Sequence, residues 1–308
     1  MSSSRSRRAA LQLVGSAILF AVMAMATKQV ARRVPGQQVA MIRFAAGLGA
    51  ALVALAAGRI EIRPQRWGWL FLRGFFGGIA VLTFFMCIQR VPVGLATLLN
   101  QTQPIYTMVF AWILLRERPT RAAVVALPLS TVGVALIVGV RASQLHAGWG
   151  EVLGIISAVT SGVAMTAIRA ARRDSSDGRP PDSAWSVFFS FTALGFLVTA
   201  PTVLPPLGTW MRPTGREWAW LAAVGVFSVS AQLIMTDALR HIGGATAGII
   251  SQLFVLLAMI GGALVFGDPV TASLLVGGAL TLAGVALAIL GSSAQPSAKS
   301  APTTAPDL

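Results

Sequence analysis

Charge is what this chain lacks most. Its 308 residues include 24 basic and only 10 acidic side chains, 11% of the total, against 55% hydrophobic. A soluble domain carries roughly a quarter charged residues, and at this length its surface would need far more polar side chains than are present. The mean hydropathy of +0.74 agrees. A soluble fold is excluded, and so is a sizeable extramembrane domain. The one cysteine, Cys87, excludes an internal disulfide, and the two histidines, His146 and His241, lie too far apart to suggest a metal cluster. No glycine-rich loop ends in the lysine that cradles nucleotide phosphates, which argues against ATP-driven pumping by this chain. No apolar run gathers His, Cys and acid groups, so a membrane-embedded enzyme finds no catalytic cluster and no cofactor is implied.

What is present is a net charge of +14 and a pI near 11.8. The basic residues fall a few at a time between apolar runs, not in one patch, so they read as topology signals at membrane edges and not as a nucleic-acid surface. Apolar stretches of about 20 residues, enough for a hydrocarbon core of roughly 30 Å, occur at Ala9–Val30, Gln38–Leu55, Trp67–Ile88, Val93–Leu114 and Ala122–Val140. Five more follow at Gly150–Ile168, Ala184–Leu204, Trp218–Leu239, Gly244–Phe266 and Thr271–Leu290. The basic leader MSSSRSRRAA resembles a signal peptide, but its apolar run passes the usual length without a cleavage motif and reads as the first retained span. The expected fold is an all-α membrane protein with ten transmembrane helices.

Aligned on itself, the sequence repeats at a constant offset of 151 residues: Trp67 falls on Trp218, Gly74 on Gly225, Gln101 on Gln252 and Met108 on Met259, and GVAL at 133–136 lands on GVAL at 284–287. The chain therefore reads as two five-helix units, residues 1–145 and 146–291, followed by a disordered cytoplasmic tail at 292–308 rich in Ser, Ala and Pro. An odd number of spans per unit inverts the second copy in the membrane, as in many secondary transporters. With both termini inside, Lys and Arg divide 16 inside to 7 outside, with Arg43 left within a span. That bias predicts a multi-pass protein of the cytoplasmic (inner) membrane with both termini cytoplasmic.

One stretch conflicts with its surroundings. LLNQTQPIY, Leu98 to Tyr106, sets four polar residues and a proline inside a span that otherwise reads as a hydrophobic helix. Buried amides without partners cost several kcal/mol, and a mid-helix proline removes a backbone hydrogen bond. On a continuous helix Asn100, Gln103, Tyr106 and Thr107 fall within an arc of about 120°, a polar face that can line a cavity. Pro104 would then leave the Asn100 carbonyl free for water or a ligand. Ser251 and Gln252, the repeat partners of Asn100 and Gln101, are polar again. Gln232 is a further candidate for the cavity lining, and interhelical hydrogen bonding is the alternative for all of these and for Gln101. Arg43 lies about five residues inside the second span, roughly 7 to 8 Å deep, where snorkelling to the interface competes with pairing to an anionic substrate or a helix end. Asp237 is the one carboxylate well inside a predicted span, a candidate for proton coupling, with Arg240 within reach of a local helical pair. Phe84 and Phe85 can stack on a ligand ring or simply pack.

The order of Lys28 near the end of span one, Arg43 in MIRF, the Pro104-to-Glu117 segment and the glycine-bearing STVGVALIVG resembles the EamA unit of the drug/metabolite transporter superfamily. The resemblance covers nearly the whole chain, in both halves. It implies a ten-helix carrier of small metabolites with a central cavity. In the second half Val255, Leu257 and Asp268 stand in the slots of Pro104, Tyr106 and Glu117, so the two halves need not contribute equally. The reading that follows is a secondary transporter, an exporter, of small polar or amphipathic solutes such as amino acids. Its partners are a small-molecule substrate and the lipid bilayer, with no nucleic acid. An uptake carrier for a vitamin or nucleoside-like compound is the alternative, and the sequence leaves the oligomeric state open, a monomer included.

Overall fold

Polar backbone cannot be left unpaired in lipid, so apolar runs of this length must form helices. The computed structural model describes residues 2–116, 148–172, 180–238 and 253–293, with the separate positions 125, 128, 129, 132, 133 and 136. The expected fifth span, Glu117, Ser251, Gln252 and the 294–308 tail lie outside these or rest on isolated positions only. Among the described residues the regular structure is helical: α1 Ser2–Val30, α2 Gly36–Ala56, α3 Trp67–Arg90, α4 Val93–Asn100, α5 Gln103–Leu115, α6 Trp149–Arg172, α7 Ala184–Thr199, α8 Gly215–Ala238, α9 Leu253–Phe266 and α10 Ala272–Ser293. Six of these segments, in α1, α2, α3, α6, α7 and α8, are long and apolar enough to cross a membrane, and shorter apolar helices run at Leu253–Phe266 and Ala272–Gly284.

The helix starts are written in the sequence. Ser183 accepts the Ser186 N–H at the start of α7, and Thr271 accepts the Leu274 N–H before α10. Thr214 and Glu217 exchange side-chain bonds with each other's backbone N–H to open α8, the reciprocal pairing of a capping box. Pro35 and Pro92 immediately precede α2 and α4. The expectation of one continuous fourth span is corrected here: the helix stops at Asn100, turns through Gln101 and Thr102, and restarts at Gln103. Pro104 is thereby a first-turn residue of α5, where its missing N–H has no intrahelical partner to lose, and not the mid-helix interruption that the hydropathy pattern suggested. The Thr102 hydroxyl closes the turn on the Leu99 carbonyl at 2.7 Å.

The principal contacts join helices distant in sequence. The α3 helix lies against α6 and α7, α5 against α6, α1 against α8 and α9, and α2 against α7 and α8. The main apolar core collects Val30, Val39, Phe85, Ile88, Leu98, Leu99 and Leu221 with many alanines. Small residues there let backbones approach where no hydrophobic force between helices operates in lipid.

At one end of the bundle polar bonds tie these helices together. The Lys28 ammonium donates to the Ile88 and Val91 carbonyls at 2.9 and 2.7 Å, closing the end of α3. Gln38 bonds Met211 in both directions, and Arg33 pairs with Glu217 at 3.0 Å. Asp268, placed just past the α9 carboxyl end where an acid is unfavourable to the dipole, accepts the Val93 N–H at the start of α4 at 2.9 Å, where an acid is favourable. Asp268→Ala should therefore lower stability by about 1 kcal/mol, the size of a lost N-terminal cap. Thermal melting of the purified variant checks this, and an unchanged midpoint would remove the cap from the account.

Candidate functional site

The structure divides the sequence-predicted site residues between two places. The first is the break between α4 and α5. Asn100 donates through Nδ2 to the Ser157 hydroxyl at 2.8 Å, and Ser157 donates in turn to the Ala80 carbonyl at 2.8 Å. Three helices, α3, α4 and α6, are bonded in one chain. Thr107 bonds its own helix at the Gln103 carbonyl, and Thr166 of α6 donates to the Thr107 carbonyl at 3.2 Å. Tyr106 lies half-buried against Gly162 of α6, where any added Cβ would meet the Tyr106 Cβ. The Gln103 Oε1 is buried and has no hydrogen-bond partner among the described residues.

Asn100 thus has a protein partner, the interhelical bond that the sequence offered as the alternative to cavity lining. Asn100→Leu should cost roughly 0.6 to 1.7 kcal/mol, the range for interhelical hydrogen bonds in membranes. Ser157→Ala should cost a similar amount, and the double variant less than the two together. Additive losses in a melting cycle would show that the bond is not made.

The second place is a narrow cleft between α2, α7 and α8, about 10 Å³ and so room for one water molecule, which Arg43 and Gln232 both line. Its aromatic walls are Phe44, Phe188 and Phe191, and its other polar groups are Thr192 and Ser228. Arg43 sits seven residues into α2, roughly 10 Å along the axis, and is only 7% exposed, so it does not snorkel to the interface. Its guanidinium carbon lies 5.3, 5.6 and 6.0 Å from the ring centres of Phe44, Phe191 and Phe85. Those distances are within the range for attraction between a cation and a ring. Phe44 and Phe191 meet edge to face at 5.2 Å, and the Phe44 ring rests on Gly195, where any side chain would overlap it. Phe84 and Phe85 belong to the main core, at 7% and 1% exposure. Asp237 is on α8, its side chain outside the described part.

Sequence reasoning missed Arg73. The charge count assigned it to an inner connection, but it lies on α3, 8% exposed, with its guanidinium 3.8 Å from the Phe191 ring centre. Its position six residues past Trp67, within an apolar run, was the available signal. Phe44, Phe188, Phe191, Thr192 and Ser228 were also missed, since nothing local distinguishes them from packing residues.

Helices long and apolar enough to cross a membrane, with Arg43 buried at depth beside a cleft, give the architecture of an integral membrane protein. The chain belongs to the EamA-like transporter family, whose model matches residues 7–139 and again 148–290. It is similar to the pseudopaline exporter CntI of Pseudomonas aeruginosa, 27% identical over 75% of this chain and 81% of that one. It is also similar to human solute carrier family 35 member G1, 28% identical over 69% of this chain and 59% of that one, and to an uncharacterized transporter of Archaeoglobus fulgidus, 26% identical over 69% and 73%. A solved crystal structure shares the fold with a TM-score of 0.61 at 20% identity, over 96% of this chain and 100% of the other. The protein is a multi-pass membrane transporter that takes a small-molecule substrate within the bilayer, and the relatives named here are transporters, not enzymes.

Proposed function

We propose that this chain is a secondary transporter that exports small polar or amphipathic metabolites, amino acids among them, across the cytoplasmic membrane by alternating access. The observation that carries the reading is the cleft, lined by Arg43 of the first half and by Thr192, Ser228 and Gln232 of the second, buried among apolar helices. A polar site shared between two repeats at membrane depth is what rocking one half against the other requires.

Three further observations support the two inverted five-helix units, 1–145 and 146–291, with 292–308 a cytoplasmic tail. The family model matches twice along the chain. The offset of 151 residues holds from the third span to the fifth, residues 67–136 on 218–287. Exchanging the units also exchanges the contacts: α3 against α6 and α7 becomes α8 against α1 and α2, and α5 against α6 becomes α9 against α1. Export is supported by the name of the CntI relative, and cytoplasmic termini by the 16 to 7 charge bias.

In this reading Gln103, whose buried Oε1 has no partner among the described residues, and Tyr106, Thr107 and Asn100 beside it form a second wall along the solute path. Ser251 and Gln252 take the corresponding positions of the repeat, and Asp237 is the candidate for coupling to protons. Untargeted metabolite profiling of cells overexpressing the protein tests the direction and the solute together. Small polar solutes should rise in the medium and fall in the cells. Solutes concentrated inside the cells instead would make the protein an uptake carrier, and unchanged pools with the protein in the membrane would contradict transport of this class.

A further inference from the structure

Arg43 and Arg73 are more than nine-tenths buried, and the Nε of each has no hydrogen-bond partner among the described residues. The ion pairs among the described residues are Arg33 with Glu217 and Arg63 with Glu61, so neither buried guanidinium has a carboxylate within 4 Å there. The Arg66 Nε has no acceptor among the described residues either, but that guanidinium, equally buried, donates to the Ala170 carbonyl at 2.7 Å, and the Lys28 ammonium holds two backbone carbonyls. Arg43 and Arg73 instead converge on one ring, that of Phe191. Two positive groups gathered in a low-dielectric interior repel each other, and an unpaired buried charge is strongly unfavourable. Aromatic faces offset part of this but accept few of the N–H donors that each guanidinium fork presents.

We propose that the solute is an amphipathic carboxylate whose anionic head lies against Arg43 in the cleft, within the field of Arg73 at the shared Phe191 ring, and whose apolar part lies against Phe44 and Phe188. The proposal rests on the transporter reading above and names the class of solute. A planar carboxylate matches the guanidinium fork with two parallel, charge-assisted hydrogen bonds. The cleft has aromatic walls and, apart from Arg43, neutral polar groups in Thr192, Ser228 and Gln232. That lining suits one charged head with an apolar body better than a polyanion. It also assigns the two cations a reason to stay unpaired: the missing charge arrives with the solute.

The test is the melting temperature of the purified full-length protein with matched pairs, benzoate against benzamide and N-acetylleucine against N-acetylleucinamide. At least one carboxylate should raise the midpoint and its amide should not. Arg43→Gln and Arg73→Gln should each weaken the apparent affinity for that carboxylate about tenfold or more. Without ligand both should melt no lower than the parent, because an uncompensated charge has been removed. Arg43→Lys, which keeps the charge but not the fork, should retain part of the response and covers the case in which the neutral variant does not fold. A higher carboxylate affinity in Asp237→Asn would give Arg43 an internal partner and overturn the proposal. So would amides that stabilise as well as their carboxylates, or no carboxylate stabilising at all. Profiling separates the two levels: unchanged metabolite pools with carboxylate binding intact would contradict transport alone, and export of solutes lacking an acid would contradict the anion site alone.

Discussion

Flux should fall to the background leak when cysteines introduced as Arg33→Cys and Glu217→Cys, in a Cys87→Ala background, are joined by a short bis-maleimide. The parent positions meet in an ion pair at 3.0 Å between the α1–α2 connection of the first half and the first turn of α8 in the second. Arg33 is 54% exposed at the side chain, so a reagent can reach it. The native Cys87 is fully buried, and its replacement by Ala removes background labelling. As a surface ion pair this contact contributes under about 1 kcal/mol, so breaking it with either substitution alone should leave transport near the parent level. Joining the two positions differs from breaking them: it fixes the separation of the halves at one end, and alternating access requires that separation to change. Full flux through the cross-linked protein would mean that the halves do not move apart here.

The second large effect is steric. Gly195→Val should push the Phe44 ring out of its seat and into the cleft, because the ring already lies against the glycine. Overpacking of this kind costs typically 1 to 3 kcal/mol, so melting should drop, and flux per folded molecule should fall further than stability does. Gly47→Val attacks the same cleft from α2, where an added Cβ would lie 2.7 Å from the Thr192 methyl. Gly49, two residues along the same helix, faces open space. Gly49→Ala should therefore be tolerated, and the gain in helix propensity is up to about 1 kcal/mol. Proteoliposome flux and melting measured on all three variants check the contrast. Equal behaviour of Gly49→Ala and Gly195→Val would detach the cleft from transport.

Helix positions were legible because lipid imposes one rule on every apolar run. The expected Gln38–Leu55 and Trp67–Ile88 compare with Gly36–Ala56 and Trp67–Arg90, and Trp218–Leu239 with Gly215–Ala238. The fourth span failed as one helix because hydropathy averages over the turn at Gln101 and Thr102, although its polar run and Pro104 were the visible sign of a break. The site was legible only in part. Arg43 and Gln232 stood out as polar residues at depth, but their place on one cleft depends on α2 reaching α7 and α8, a contact spanning some 190 residues of sequence. Arg73 was hidden by its place near a helix start, where arginine ordinarily snorkels. Asn100 was conspicuous as a polar residue, yet no local pattern reveals that its partner is Ser157, 57 residues away.

The central claim is that the cleft between α2, α7 and α8 lies on a path open alternately to the two sides of the membrane. Ser228, 3% exposed and lining that cleft, is the place to ask. With Ser228→Cys in the Cys87→Ala background, a membrane-impermeant maleimide is applied to intact cells and, separately, to inside-out vesicles. The account predicts that the cysteine is modified from both sides, and more slowly from each in the presence of a transported solute. Modification from one side only, or from neither, would contradict it.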